Sequence, residues 1–161
     1  MHRELQNWYL KEIRDRIRVT DITFPSGWTQ LLKSLQVPVI EGQRGRRIID
    51  WTKVQSRYET HYNLVSNESL ITAGLSSSPL TGHLELLMDY GYQDPVIGVP
   101  VDFFIENWFK LIAATNFMGT VVITQDGSLF MEFTDDAESL LISNFPIVSS
   151  PAAGPVRESQ G

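Results

Sequence analysis

An apolar hairpin, Thr120–Phe133, constrains the fold of this chain more than any other part of its sequence. Asp126-Gly127 lies near its centre, and this dipeptide is typical of a type I′ turn, in which both residues have positive φ. The register that follows pairs Val122 with Met131 across the hairpin. Successive side chains point to opposite faces, and both faces are largely apolar. We therefore expect the hairpin to lie in a sheet that is covered on both sides.

A strongly apolar helix is predicted just before the hairpin. Pro100 is tolerated in a first helical turn, and Asp102 suits the positive end of the helix dipole. Only one polar stripe remains in this segment, which predicts a helix buried on most sides. The apolar residues are Phe103, Phe104, Ile105, Trp108, Phe109, Leu111 and Ile112. We expect this helix and the hairpin to form the core.

Helical periodicity and turn residues divide the rest of the chain into shorter elements. We predict helices at residues 3–17, from Ser26, from Asp50 and at residues 76–91, and short strands at residues 19–24 and 70–72. The four tryptophans lie on apolar helical faces and are expected in the core. The predicted fold class is α+β, with four or five helices on an antiparallel sheet of three to five strands. One domain is expected at residues 1–147, followed by a disordered tail at residues 148–161.

The composition indicates an intracellular protein. The 161 residues include no cysteine, which excludes disulfides and thiolate metal sites and suits a reducing compartment. No apolar run reaches the roughly 18 residues of a membrane-spanning helix, and the first residues have no signal-peptide core. We therefore expect a cytoplasmic protein that does not bind membranes.

Charge is distributed very unevenly along the sequence. The first 60 residues hold eleven of the 13 Lys and Arg residues and seven of the 19 Asp and Glu residues, a net charge of +4. The remaining 101 residues hold two basic and twelve acidic residues, a net charge of −10. Because a large field of one sign attracts partners of the opposite sign, the acidic part predicts a cationic protein partner.

The densest acidic cluster begins at the hairpin turn. It contains five acidic and no basic residues within 13 positions: Asp126, Glu132, Asp135, Asp136 and Glu138. A structural alternative exists, since Thr134 could cap a helix whose positive end attracts the following carboxylates. That alternative leaves unexplained why residues 64–145 hold eleven acidic residues and one basic residue. We therefore predict that the cluster forms a partner-binding surface.

A second candidate site is the turn at residues 42–47, which carries Arg44, Arg46 and Arg47. Three arginines near aromatic side chains could bind the phosphates of a nucleic acid. The sequence pI of about 5.0 argues against a broad basic field, and one short patch makes few phosphate contacts. Binding of nucleic acid or phosphate is thus the alternative to protein binding, while simple solvation of the arginines is the structural explanation.

Catalytic motifs are missing from the sequence. No histidine has a second histidine three or four residues away, and there is neither a G-x-S-x-G nucleophile turn nor a glycine-rich phosphate loop. We expect no metal, no cofactor and no catalysis. A small hydrolase with a carboxylate centre or a centre built on His61 and His83 is the less favoured alternative.

Three features together resemble bacterial immunity proteins, the antidotes to polymorphic or contact-dependent toxins. They are the helices around Gly27-Trp28-Thr-Gln-Leu-Leu and Ile49-Asp50-Trp51-Thr-Lys-Val54, the late Asp-Gly hairpin, and the small acidic chain without cysteine. The resemblance implies a cytoplasmic binding protein without catalysis. It also implies that an acidic face holds a basic toxin, so the expected function is toxin neutralisation.

Overall fold

A seven-stranded antiparallel sheet organises the protein in the computed structural model, which describes residues 4–41, 47–62, 65–91, 93–115, 119–134 and 139–147. The helices are α1 (Trp8–Glu12), α2 (Ser26–Ser34), α3 (Val65–Ser76) and α4 (Val101–Ala113), with short 3-10 turns at Arg14–Arg16, Trp51–Lys53 and Pro79–Gly82. The strands are β1 (Arg18–Val19), β2 (Tyr58–His61), β3 (Glu85–Met88), β4 (Ile97–Pro100), β5 (Thr120–Thr124), β6 (Phe130–Phe133) and β7 (Leu140–Ser143). The predicted α+β class is confirmed, with more strands than expected.

The sheet has the strand order β1-β4-β3-β5-β6-β7-β2 and is covered on both faces. On one face, alternate strand residues pack with α1, α3 and α4 in a larger core. On the other face they pack with α2 and with the segments at residues 37–39 and 48–54 in a smaller core. Every residue of β5 and β6 is buried, as expected for a hairpin in a covered sheet.

The hairpin has the predicted register, but its turn is of a different kind. Val122 pairs with Met131, as the sequence predicts. Gly127 has a φ of +76°, whereas Asp126 is not in the positive-φ region, so the turn is not type I′. The Gly127 N–H donates to the Thr124 carbonyl at 2.9 Å, and the Thr124 N–H donates to the Leu129 carbonyl at 3.0 Å. The loop is therefore longer than a two-residue turn and needs only one glycine conformation.

The predicted helix at residues 76–91 is wrong. This part of the chain forms a 3-10 turn followed by β3, which lies between β4 and β5 in the middle of the sheet. A strand covered on both faces has a continuous apolar run, and such a run also fits one face of a helix. The helical stripe predicted from Leu80, Leu84, Leu87 and Met88 is therefore not formed, and Leu84 is 92% exposed.

Four further elements differ from the prediction. The helix predicted from Asp50 is only the 3-10 turn Trp51–Lys53, because Val54 is extended and Tyr58 begins β2. The strand predicted at residues 19–24 is reduced to β1. Residues 70–72, predicted as a strand, lie in the middle of α3, where Ile71 and Leu75 are buried four residues apart. The predicted helix at residues 3–17 is reduced to α1 and a 3-10 turn. The Asn7 side chain accepts hydrogen bonds from the N–H groups of Tyr9 and Leu10, so it caps α1 and fixes where this helix begins.

Three of the four tryptophans are in the core, as predicted. Trp28 and Trp51 belong to the smaller core and Trp108 to the larger one. Trp8 is 63% exposed, so its predicted place in the core is wrong. Tyr9 and Leu10 supply the buried face of the short α1 instead.

Candidate functional site

Asp126, the first residue of the predicted acidic cluster, is exposed at the hairpin turn. Its Oδ1 atom accepts hydrogen bonds from the Thr124 hydroxyl at 2.7 Å, the Ser128 hydroxyl at 2.8 Å and the Ser128 N–H at 3.0 Å. These donors, led by the Ser128 N–H, lower the pKa of Asp126 to about 2. Asp126 therefore presents a fixed negative charge to solvent at neutral pH.

Glu132 is not on the surface, and its predicted place in a partner-binding patch is wrong. It is 2% exposed and lies on the smaller-core face of β6. Its Oε2 atom accepts a hydrogen bond from the Ile48 N–H at 2.7 Å, while Oε1 accepts one from the Trp51 Nε1–H at 2.9 Å. The Ile49 N–H adds a longer contact at 3.4 Å. Glu132 thus attaches the chain at residues 48–51 to the sheet.

A second buried acid lies on the same face of the sheet. Asp89 follows β3 directly and is 1% exposed. Its carboxylate accepts hydrogen bonds from the Thr120 hydroxyl at 3.0 Å and the Val121 N–H at 3.2 Å. The Trp28 indole N–H faces this carboxylate closely enough to lower its pKa, although it makes no hydrogen bond of ordinary geometry. Asp89 thereby connects the end of β3 to the start of β5.

Asp89 and Glu132, which we call the buried acid pair, flank Val121 from neighbouring strands. Burial is the largest influence on both side chains and raises the pKa of each to about 7. The hydrogen-bond donors act in the opposite direction, and Arg47 also lowers the pKa of Glu132. Repulsion between the two carboxylates raises the pKa of Asp89 further. Burial therefore favours the protonated form of both acids more than it does for an exposed carboxyl group.

The sequence contained a signal for one member of this pair. Glu132 and Phe130 are two residues apart and therefore share a face of β6. Since Phe130 was predicted to be buried in a covered sheet, the same alternation places Glu132 in the interior. Asp89 had no comparable signal, because it was assigned to a helix.

The other three acids of the predicted cluster, Asp135, Asp136 and Glu138, lie outside the described residues. The residues that bracket them, Thr134 and Ser139, lie at the end of β6 opposite to the Asp126 turn. A four-residue strand spans about 13 Å. Of the two described members of the cluster, Asp126 is therefore exposed at one end of β6, while Glu132 within β6 is buried.

The arginine turn is described only at its last residue. Arg44 and Arg46 lie outside the described residues, whereas Arg47 is exposed and interacts electrostatically with Glu132. The acidic cluster and the arginine turn, which seemed separate in the sequence, therefore meet at Glu132. This contact gives Arg47 a structural role in addition to any ligand that it binds.

The two histidines of the hydrolase alternative do not share a centre. His61 is paired with Leu140, at the end of the sheet where β6 leads towards β7. His83 precedes β3 and lowers the pKa of Asp126, so it belongs to the opposite end. Within the described parts of the chain, no group of three or more His, Cys, Asp or Glu side chains could hold a metal ion.

Between described residues, few ion pairs join the basic first 60 residues to the acidic remainder. Of the four ion pairs between described residues, only Arg18–Glu85, at 2.8 Å, links the first 60 residues to the remainder. The other three lie within the first 60 residues: Lys33–Glu41, Lys53–Asp50 and Arg57–Glu59. Leu84, which directly precedes Glu85 in the sequence, is 92% exposed.

The chain matches no protein-family model, no curated protein and no solved structure. In the described residues, none of the helices has the length and apolar character needed to cross a membrane.

Proposed function

We propose that this protein is a non-enzymatic, cytoplasmic binding module that holds a cationic protein through an acidic surface. A toxin-neutralising immunity protein is the form of this function that we favour. The proposal rests first on charge, since residues 61–161 carry a net charge of −10 in the sequence. A field of one sign accelerates the encounter with an oppositely charged protein.

The ion-pair pattern is the observation that carries the proposal. Among the described residues, three of the four ion pairs join basic and acidic side chains within the first 60 residues, and Glu85 is the one described acid of the remainder in such a pair. Burial removes Asp89 and Glu132 from that surface. The acids that we assign to it are Asp126 at the hairpin turn and Asp135, Asp136 and Glu138 in the sequence after β6.

Co-expression tests this function. The genes adjacent to this one are expressed with and without it, and growth and co-purification are measured. We expect that one product is a basic protein that arrests growth alone, loses this effect when co-expressed, and co-purifies at low salt but not at about 0.5 M salt, where charges are screened within a few Å. If every adjacent product is harmless, or if protection occurs without binding, the immunity function is wrong.

The alternative functions make different predictions. Nucleic-acid binding through Arg44, Arg46 and Arg47 would give a gel shift at low salt that is lost in the triple alanine variant. A hydrolase would show an activity that His61→Ala or His83→Ala abolishes. We favour the binding module, because its charge pattern extends over most of the chain.

A further inference from the structure

The strand β2 lies at one end of the sheet and has an outer edge. It pairs with β7 on its inner side, and no strand of the described residues lies on its outer side. The Tyr62 N–H donates to the Ser139 carbonyl at 3.0 Å in the same register, so the backbone N–H and C=O groups of every second residue, including Thr60, point towards β7. Those of Glu59 point outwards. The Glu59 backbone therefore offers a donor and an acceptor to another chain.

The two ends of this outer edge differ. At the end where β2 stops, the His61 carbonyl accepts a hydrogen bond from the Asn67 side chain at 2.7 Å, so α3 reaches this end. At the other end, Arg57 directly precedes β2. Continuing the strand by one residue gives the Arg57 backbone the same outward direction as that of Glu59, because the two residues are two positions apart. The part of the edge that can receive another strand is thus centred on residues 57–59.

Arg57 and Glu59 place opposite charges next to each other at this edge. The Arg57 Nε atom lies 3.4 Å from the Glu59 Oε2 atom, and the two side chains are 32% and 27% exposed. Tyr58, which lies between them, points to the opposite face of the sheet and is half-buried. A positive and a negative side chain two residues apart are complementary to the same pair in a second copy that runs antiparallel.

We propose that β2 binds β2 of a second copy of this chain, antiparallel about a two-fold axis at Tyr58. In this register Arg57 lies opposite Glu59 of the second copy, and the symmetry creates the same pair on the other side of the axis. Each pair exchanges both of its backbone hydrogen bonds. The charges alternate around the axis on one face of the sheet, while the two Tyr58 rings form a cross-strand pair on the other face.

The two neighbouring registers fit less well. A register centred on Glu59 places two carboxylates directly opposite each other, which is destabilising. A register centred on Thr60 brings the second copy against the Asn67 side chain that α3 places at the His61 carbonyl. The charge pattern and the position of α3 therefore both favour the axis at Tyr58.

Sedimentation velocity of the full chain measures the association. A single short strand buries less area than the roughly 1,200–2,000 Å² of a stable interface, so we expect a reversible dimer with a dissociation constant on the order of 10–100 µM. The mass should therefore rise from that of a monomer towards that of a dimer between about 5 µM and about 500 µM protein.

Charge reversal identifies the interface and its register. Arg57→Glu and Glu59→Arg each place like charges opposite each other, so each variant alone should dimerise at least about tenfold more weakly than wild type. An equal mixture of the two variants restores both pairs of opposite charges and should form a heterodimer about as tight as the wild-type dimer. Glu106→Arg, which reverses an exposed acid on α4, is the control and should leave dimerisation unchanged.

Hydrogen exchange in the wild-type protein gives a second measurement, which decides the outcome even if a reversal variant does not fold. The Glu59 amide faces outwards, whereas the Thr60 amide faces β7. We therefore expect exchange of the Glu59 amide to slow several-fold from the lowest to the highest protein concentration, while exchange of the Thr60 amide stays constant.

Four results would each overturn the proposal. They are a monomer at every concentration, a dimer that neither reversal weakens, a mixture of folded reversal variants that does not associate, and exchange of the Glu59 amide that is independent of concentration. With the first result, the edge of β2 would be open to a strand of a different protein.

Discussion

The Glu132 carboxylate accepts a hydrogen bond of 2.9 Å from the indole N–H of Trp51, a residue 81 positions earlier in the sequence. Both groups are buried in the smaller core. This contact connects β6 to the chain that follows the arginine turn. Glu132, which a count of acidic residues in the sequence treats as surface charge, therefore stabilises the packing of this part of the chain on the sheet. The acidic surface proposed for binding must therefore be built from other residues.

Glu132→Ala should lower the free energy of unfolding by about 2–4 kcal/mol, because it leaves the Trp51 indole and the Ile48 N–H buried without an acceptor. Urea unfolding measures the change. Glu106→Ala, which removes an exposed acid, is the control and should stay within about 0.5 kcal/mol of wild type. Equal effects of the two substitutions would show that the Glu132 contacts contribute little.

The buried acid pair predicts a protein that is more stable in mild acid. Each of the two acids has a folded-state pKa of about 7, above the ordinary values of 3.8 for Asp89 and 4.5 for Glu132. The folded state therefore binds more protons between those values. Stability should fall as pH rises from about 5 to 7, by up to about 1.4 kcal/mol per pH unit for each group. The slope should flatten in the double variant Asp89→Asn/Glu132→Gln. A wild-type stability that rises over this range would contradict both assignments.

Gly74→Ala should be strongly destabilising, even though alanine normally favours a helix over glycine. A Cβ atom at this position of α3 would lie 1.6 Å from the Ile147 carbonyl oxygen. The backbone after β7 would have to move away, which we expect to cost about 3 kcal/mol or more. Gly82→Ala is the matched control, since a Cβ there meets nothing within 4 Å. Thermal unfolding of the two variants compares them, and a wild-type midpoint for Gly74→Ala would refute the close approach.

Alanine substitution of two tryptophans should distinguish a buried tryptophan from an exposed one by the loss of stability. Trp108 is 1% exposed and its indole N–H donates to the Thr72 hydroxyl at 2.8 Å, so Trp108→Ala should cost about 3–5 kcal/mol. Trp8→Ala removes an exposed ring and should change stability by less than about 1 kcal/mol. Chemical denaturation of both variants is the measurement. A large loss for Trp8→Ala would place this ring in a contact that the fold does not show.

The sequence predicted best where local pattern and tertiary environment agree. α4 has one polar stripe and Pro100 before it, and the hairpin alternates around a glycine turn; both were predicted near their observed positions. The strand β3 was missed, because a strand buried on both faces has no alternation to distinguish it from a helix. Leu70 and Ile71 favoured a strand locally, but packing of α3 against α4 decided the outcome.

The candidate site was harder to predict for a different reason. A count of acidic residues treats every carboxylate as exposed. Whether a carboxylate is buried depends on which face of the strand its side chain occupies and on hydrogen-bond donors that are far away in the sequence. Glu132 could have been assigned to the interior, because it is two residues from Phe130 and therefore lies on the same face of the strand. Its donors could not have been identified, because Ile48 and Trp51 are 84 and 81 residues away. Asp126 was predicted at an exposed turn and is found there.

The most direct test of the proposed function is the association rate with the cationic partner as a function of salt. It is measured for wild type, for Asp126→Lys, and for the triple variant Asp135→Lys/Asp136→Lys/Glu138→Lys, with Glu106→Lys as the control for a single reversal. We expect the triple variant to associate at least about tenfold more slowly at low salt and with a weaker salt dependence. Asp126→Lys should have a smaller effect that still exceeds that of Glu106→Lys. Wild-type rates and salt dependence in both test variants would contradict an acidic binding surface on this protein.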